Sequence, residues 1–202
     1  MKDFARIEPA NLAAWRRWLE RHHGRAESVW LVYARKGNAQ GVGLVDACVE
    51  ALSFGWIDSL PRKLDATRSM ILMSPRKPGS AWSALNKRRV AQAEAEGRMA
   101  PPGRVKIAAA KKDGSWSKLD AVEALALPPD LAAALTGRPG AAAAFDAFPR
   151  SVKRGILEWI GTAKRPETRA ARIADTAEKA AKGERANQWR GPAQTQRRTR
   201  AR

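Results

Sequence analysis

One cysteine, one tyrosine and two histidines stand in a chain of 202 residues, where 20 acidic residues face 38 lysines and arginines. The lone Cys48 excludes an intrachain disulfide and suits a reducing compartment. Its spacing with Leu44 and Leu52 puts it on an apolar helix face, as a small core residue and not a nucleophile. His22 and His23 are adjacent and lack a third ligand-type cluster, so no metal centre is expected. They fit the end of a helix, where a cation is favoured. No Cys–His pair, zinc spacing or serine-elbow motif occurs, and the glycines of KGNAQGVG (residues 36–43) form neither GxGxxG nor GK[ST]. No cofactor is expected. Long apolar runs are also missing: nothing approaches a membrane span, and MKDFARIEPANLAAW has no apolar signal region. The expectation is a cytoplasmic protein.

Apolar residues make up 44% of the chain, enough for a folded body. Eight tryptophans are the unusual component: seven are spread through residues 15–159 as core anchors would be, and Trp189 stands alone near the end. The net charge is +18, and residues 183–202 contribute six arginines against one glutamate, which leaves +13 on the rest. Such a surface attracts nucleic acid, anionic lipid or acidic proteins without specificity. An alanine- and arginine-rich composition accounts for the same charge without any dedicated partner.

Periodicity and punctuation predict α-helices over Pro9–His23 and Leu44–Phe54, the first with Leu12, Trp15 and Leu19 inward, the second with Asp46 and Glu50 outward. SVWLVYAR (residues 28–35) reads as a strand. Trp56–Leu64 and Arg68–Ser74 read as a hairpin-like pair. Pro61 marks the first strand as an edge or a bulge, and the unbroken apolar run of the second marks it as central. Ser80 or Ser83 caps a helix running to about Glu96, and Pro101–Lys112 forms another. Beyond Ser117–Pro129 the pattern is helical throughout, with Phe145, Phe148, Ile156, Trp159, Ile160 and Ile173 expected as a small core against the first part. The fold class is α+β: a small mixed sheet with flanking helices over residues 1–116, a linker at 117–129, a helical subdomain at 130–183 and a disordered basic tail at 184–202.

The densest set of unusual polar residues lies between Ala51 and Asn86. EALSFGWIDS, the D-x-x-R at Asp65–Arg68, SPRKPGSAWSALN, EGRMAPPG, AAKKDGSW and FPRSVKRGILEWIGTAKRPETRAARI occur in that order. Together they resemble the YdeI/OmpD-associated family (OmdA-type), whose members are often labelled bacteriocin-protection proteins. The resemblance covers about residues 10–183. It implies a role in protection against bacteriocins or cationic peptides, and no established reaction. Ser53 stands where many members have cysteine, so a catalytic thiol is not implied there; the segment after Arg185 is extra.

Trp56, Asp58, Arg68, Arg76, Ser80, Trp82 and Asn86 fall at element ends around two adjacent strands. One reading is a small-anion cleft. Arg68 and Arg76 would supply guanidinium groups, Ser80 and a helix N-terminus further donors, and Trp56 or Trp82 a flat wall. The other is structural: Asp58 or Asp65 pairs with an arginine, a serine caps a helix, Asn86 ties a loop and the tryptophans are core. The expected partner is a small anion or an acidic protein. The alternatives are nucleic acid on a basic face of Lys87, Arg88, Arg89, Arg98 and Arg104, extended by Lys111, Lys112, Lys153 and Arg154, or an enzyme using the Asp58/Arg76 region. No catalytic constellation is recognisable.

Overall fold

The computed structural model describes residues 4–35 and 41–187. The chain divides into two compact units, with the boundary between Asp120 and Ala121. In the first, strands β1 (Arg6–Ile7), β2 (Val29–Ala34), β3 (Trp56–Lys63) and β4 (Arg68–Pro75) form one sheet in the order β1-β2-β4-β3. β1 runs parallel to β2, and the other pairs are antiparallel, so the sheet is mixed. The helices are α1 (Leu12–His22), α2 (Leu44–Ser53), α3 (Ala84–Ala95) and α4 (Pro101–Lys112). The protein is α+β.

Local signals explain most of these boundaries. Asn11 caps α1, its side chain accepting from Ala14 N at 2.9 Å, which leaves Pro9 outside the helix and not in its first turn. Ser83 caps α3 in the same way. β3 is the sheet edge and slips register between Asp58 and Pro61, so the missing N–H of proline disrupts no ladder. β4 lies between β2 and β3. β1, only two residues long, is too short to leave a pattern in the sequence.

α2 departs from its expected amphipathic reading. Residues 47–53 are all buried, because the helix has a core on either side. Toward the sheet, Ala47, Cys48 and Ala51 pack with Trp15, Leu31, Ile71 and Met73. On its other side, Val49 and Leu52 pack with Trp82, Val90, Met99 and Ile107. Glu50, expected outward, is only 1% exposed; Arg16 and Arg98 hold its carboxylate. Asp46 does face solvent.

The second unit is helical among its described residues. It begins within the short α5 (Asp120–Glu123) and contains α6 (Pro129–Thr136), α7 (Ala141–Asp146), α8 (Arg150–Gly161) and α9 (Pro166–Ala181). Its core holds the expected Phe145, Ile156, Ile160 and Ile173, together with Leu131, Leu135 and Val152. Phe148 and Trp159 sit at the margin, partly buried, with Arg172 stacked on the Trp159 ring at 5.0 Å. Ala186 is buried in this core, so order extends past Gly183. The rest of the expected disordered tail, with Trp189, lies outside the described residues, as does most of the 36–43 loop.

Candidate functional site

The seven residues singled out in the sequence do not converge. Trp56 is completely buried, its indole N–H donating to His23 O at 3.0 Å and its ring meeting Trp18 edge-on. It is a core anchor and not a ligand wall.

Arg68 opens β4, directly after the turn that joins it to β3. Its Nε donates to Asp65 Oδ2 at 2.7 Å and its Nη1 to Glu8 Oε1 at 2.6 Å. Asp65 Oδ1 also accepts from the backbone N–H groups of Thr67 and Arg68 at 2.9 and 2.7 Å. These donors, the Arg68 side chain first, hold the Asp65 carboxyl down at about 2, against an ordinary 3.8. A depressed carboxylate stabilises the fold above its unfolded value, and this contribution is lost as pH falls from about 3.8 through about 2. Arg68→Ala is expected to move the Asp65 titration midpoint back toward 3.8, as read by carboxyl-carbon NMR. A midpoint still near 2 would assign the effect to the backbone donors alone.

Asp58 and Asn86 share a second cluster. Arg89 Nη1 lies 3.1 Å from Asp58 Oδ1 and 3.5 Å from Asn86 Oδ1, tying α3 to β3. Cys48 lies beside Asp58. Burial first, and then the Asp58 carboxylate, push its thiol up to about 12, so it stays protonated and unreactive near neutral pH. Here the polar groups satisfy one another.

Arg76, Ser80 and Trp82 are brought together, and the arrangement differs in kind. Arg76 follows β4 and is 3% exposed, its guanidinium carbon 3.7 Å from the centre of the Trp82 ring. Trp82 is itself buried and tilts against Trp116 at 4.9 Å. Nη2 of Arg76 donates to Ser80 O at 3.3 Å and to Ala81 O. Nε and Nη1 are buried and have no hydrogen-bond partner among the described residues. No carboxylate forms an ion pair with this arginine there. Burial lowers its pKa to about 10, which leaves it charged at neutral pH. The Ser80 hydroxyl turns back to Lys77 O.

A cavity of about 130 Å³ adjoins this guanidinium. Turn residues 77–80 form one side, and Val105, Lys106, Ala109 and Ala110 of α4 form another, with Asp113 and Ser115 at the end of that helix. Asp113 accepts from Ser115 N at 2.9 Å, and the donors from Ser115 and Gly79 hold its carboxyl below the usual range. Sequence spacing does not point to the α4 residues, which lie far along the chain from Arg76. Asp113 and Ser115 do fall in the AAKKDGSW motif, which was the one available signal.

Six of the nine residues of the expected basic face form ion pairs within their own unit. Lys87 pairs with Asp120, Arg89 with Asp58, Arg98 with Glu50 and Glu96, and Arg104 with Glu94. In the second unit, Lys153 pairs with Asp146, and Arg154 with Glu123 and Glu158. Among the described residues no group of three His, Cys, Asp or Glu is placed to hold a metal, and no helix is long and apolar enough to cross a membrane.

Comparison with known families separates the two units. Residues 124–183 match the family described as Bacteriocin-protection, YdeI or OmpD-Associated. The chain carries a YdeI/OmpD-associated domain. It consists of the helical unit from α6 to just past α9 and includes the FPRSVKRGILEWIGTAKRPETRAARI segment. Residues 7–106 match a separate model, a domain of unknown function (DUF8412), and the motifs of Ala51–Asn86 fall there. The family match is thus confined to the C-terminal part of the 10–183 span over which the sequence resembles it. No curated protein and no solved structure matches the chain.

The YdeI/OmpD-associated domain has a larger and more open hollow, about 750 Å³, between α6 and α9. Its walls include Ala134, Ala170, Ile173 and Ala177. At this hollow Arg169 meets Asp130 through two bonds, Nε to Oδ2 at 2.7 Å and Nη2 to Oδ1 at 2.9 Å. That charge pair is internally satisfied, unlike Arg76.

Proposed function

We propose that this protein is a non-catalytic binding protein, of the bacteriocin-protection type, whose N-terminal unit receives a small anion beside Arg76. The observation that carries the reading is a charged, buried guanidinium that has two unpaired donor atoms and no carboxylate partner among the described residues, next to a cavity. Burying a cation is costly unless a counter-charge accompanies it. Asp65 and Glu8 supply that counter-charge to Arg68, and Asp58 supplies it to Arg89. Arg76 has instead two carbonyl oxygens and the face of Trp82.

Lys77 and Lys106 also line the cavity, against the single carboxylate of Asp113, so its balance of charge favours an anion. Two opposite unit charges about 4 Å apart attract by roughly 4 kcal/mol at an effective dielectric near 20, a gain that desolvation of the ligand partly offsets. Asp113 is held in its ionised form and the Ser80 hydroxyl is engaged with a carbonyl, which supports binding over acid–base or nucleophilic work. The test is a thermal melt at constant ionic strength with phosphate, sulfate or acetate. At least one anion is expected to raise the melting temperature in a saturable way, and Arg76→Gln is expected to lose that rise while still melting cooperatively. Equal shifts in both proteins, or none in either, would overturn the reading.

A further inference from the structure

The lining of the Arg76 cavity also bears on which anion it takes. Pro78, Trp82, Val105, Ala109 and Ala110 make most of the wall apolar. Arg76 is the one buried cation among the described lining residues, the buried Ser115 hydroxyl is a single further donor without a hydrogen-bond partner there, Ser80 donates its hydroxyl to Lys77 O, and Asp113 offers only acceptor oxygens. A phosphate dianion needs several converging donors and would meet the Asp113 carboxylate. A monocarboxylate asks for less: one charged end toward the guanidinium and an apolar body against Trp82 and α4. At about 30 Å³ for each water-sized group, the cavity holds a molecule of roughly three to five carbons.

We propose that the site takes a short apolar monocarboxylate in preference to phosphate. This rests on the anion reading above and narrows it. Nε and Nη1 of Arg76 have almost no surface open to water, so the exposed turn at Lys77–Gly79 must shift slightly for a carboxylate to reach them.

The experiment uses the full chain and three probes at fixed ionic strength: butyrate, its neutral analogue butyramide, and inorganic phosphate. Binding is followed by ligand-observed NMR and by tryptophan fluorescence. Butyrate is expected to bind saturably, with the other two at least about tenfold weaker, since a lost charge-assisted pair is worth that much or more. Ala109→Leu fills the cavity from α4 without touching Arg76 and is expected to abolish butyrate binding while leaving the melt cooperative. Phosphate binding more tightly than butyrate, with the Arg76→Gln variant losing it, would overturn this inference and leave the anion reading standing. Butyramide equal to butyrate, or no probe distinguishing wild type from Arg76→Gln, would overturn both. Butyrate binding unchanged in Ala109→Leu would place its site elsewhere and overturn the inference.

Discussion

Glu50→Ala is expected to lower the free energy of unfolding by about 3 kcal/mol, the low end of the range for breaking a buried ion pair. Glu50 is 1% exposed, and its two oxygens are divided between arginines from different parts of the unit. Arg16 of α1 donates to Oε1, and Arg98, after α3, donates to Oε2 at 3.2 Å. Arg16 also donates to Arg98 O at 3.1 Å and lies over the Phe54 ring at 5.2 Å. Without the carboxylate, two guanidinium groups face each other across a space that water reaches poorly. The low end applies because both arginines are partly exposed and keep Glu20 and Glu96 as partners. Urea unfolding of wild type, Glu50→Ala and Glu50→Gln measures the effect, with the glutamine variant expected between the other two. A loss under about 1 kcal/mol for alanine would show that the triad behaves as a surface pair.

Gly103→Ala is expected to destabilise by about 3 kcal/mol or more, the upper part of the range for overpacking and opposite in direction to helix propensity. Glycine within a helix ordinarily costs about 1 kcal/mol relative to alanine, so the exchange should help. At position 103 a Cβ would lie 2.2 Å from Ser53 O and 2.7 Å from Ser53 C, where α4 crosses the end of α2. These are backbone atoms and cannot rotate away. The same carbonyl accepts from Ala100 N at 3.2 Å, a bond that separating the helices would lengthen. Overpacking typically costs about 1–3 kcal/mol, and a backbone obstacle belongs at the top of that range. Gly155→Ala in α8 is the control: a Cβ there meets nothing within 4 Å, so a small gain in stability is expected. Gains at both positions would mean that α2 and α4 do not approach so closely.

The site residues were legible as types and not as a constellation. Arg68, Arg76 and Arg89 look alike along the chain, each within a polar stretch near a strand or helix end. Arg68 finds Glu8 sixty residues away, and Arg89 finds Asp58 thirty-one residues away. Arg76 finds no carboxylate among the described residues, only Trp82 and two carbonyls. Nothing in local spacing distinguishes these outcomes, because a partner is set by which elements the sheet and helices bring side by side. Trp56 and Trp82 likewise share a residue type, yet one anchors the sheet core and the other carries the guanidinium.

By itself the chain determined the order and kind of its longer elements, an edge or a bulge at Pro61, the central position of β4 and a serine cap at Ser80 or Ser83. Each follows from a local property: side-chain periodicity, a missing N–H, or a hydroxyl beside free backbone donors. Tertiary structure decided that Glu50 is inside, that position 103 tolerates no side chain, and that Arg76 alone of the three arginines keeps its charge unpaired beside a cavity. Those outcomes depend on contacts between distant segments, and the energy of a buried charge or a close backbone approach exists only once the segments have met.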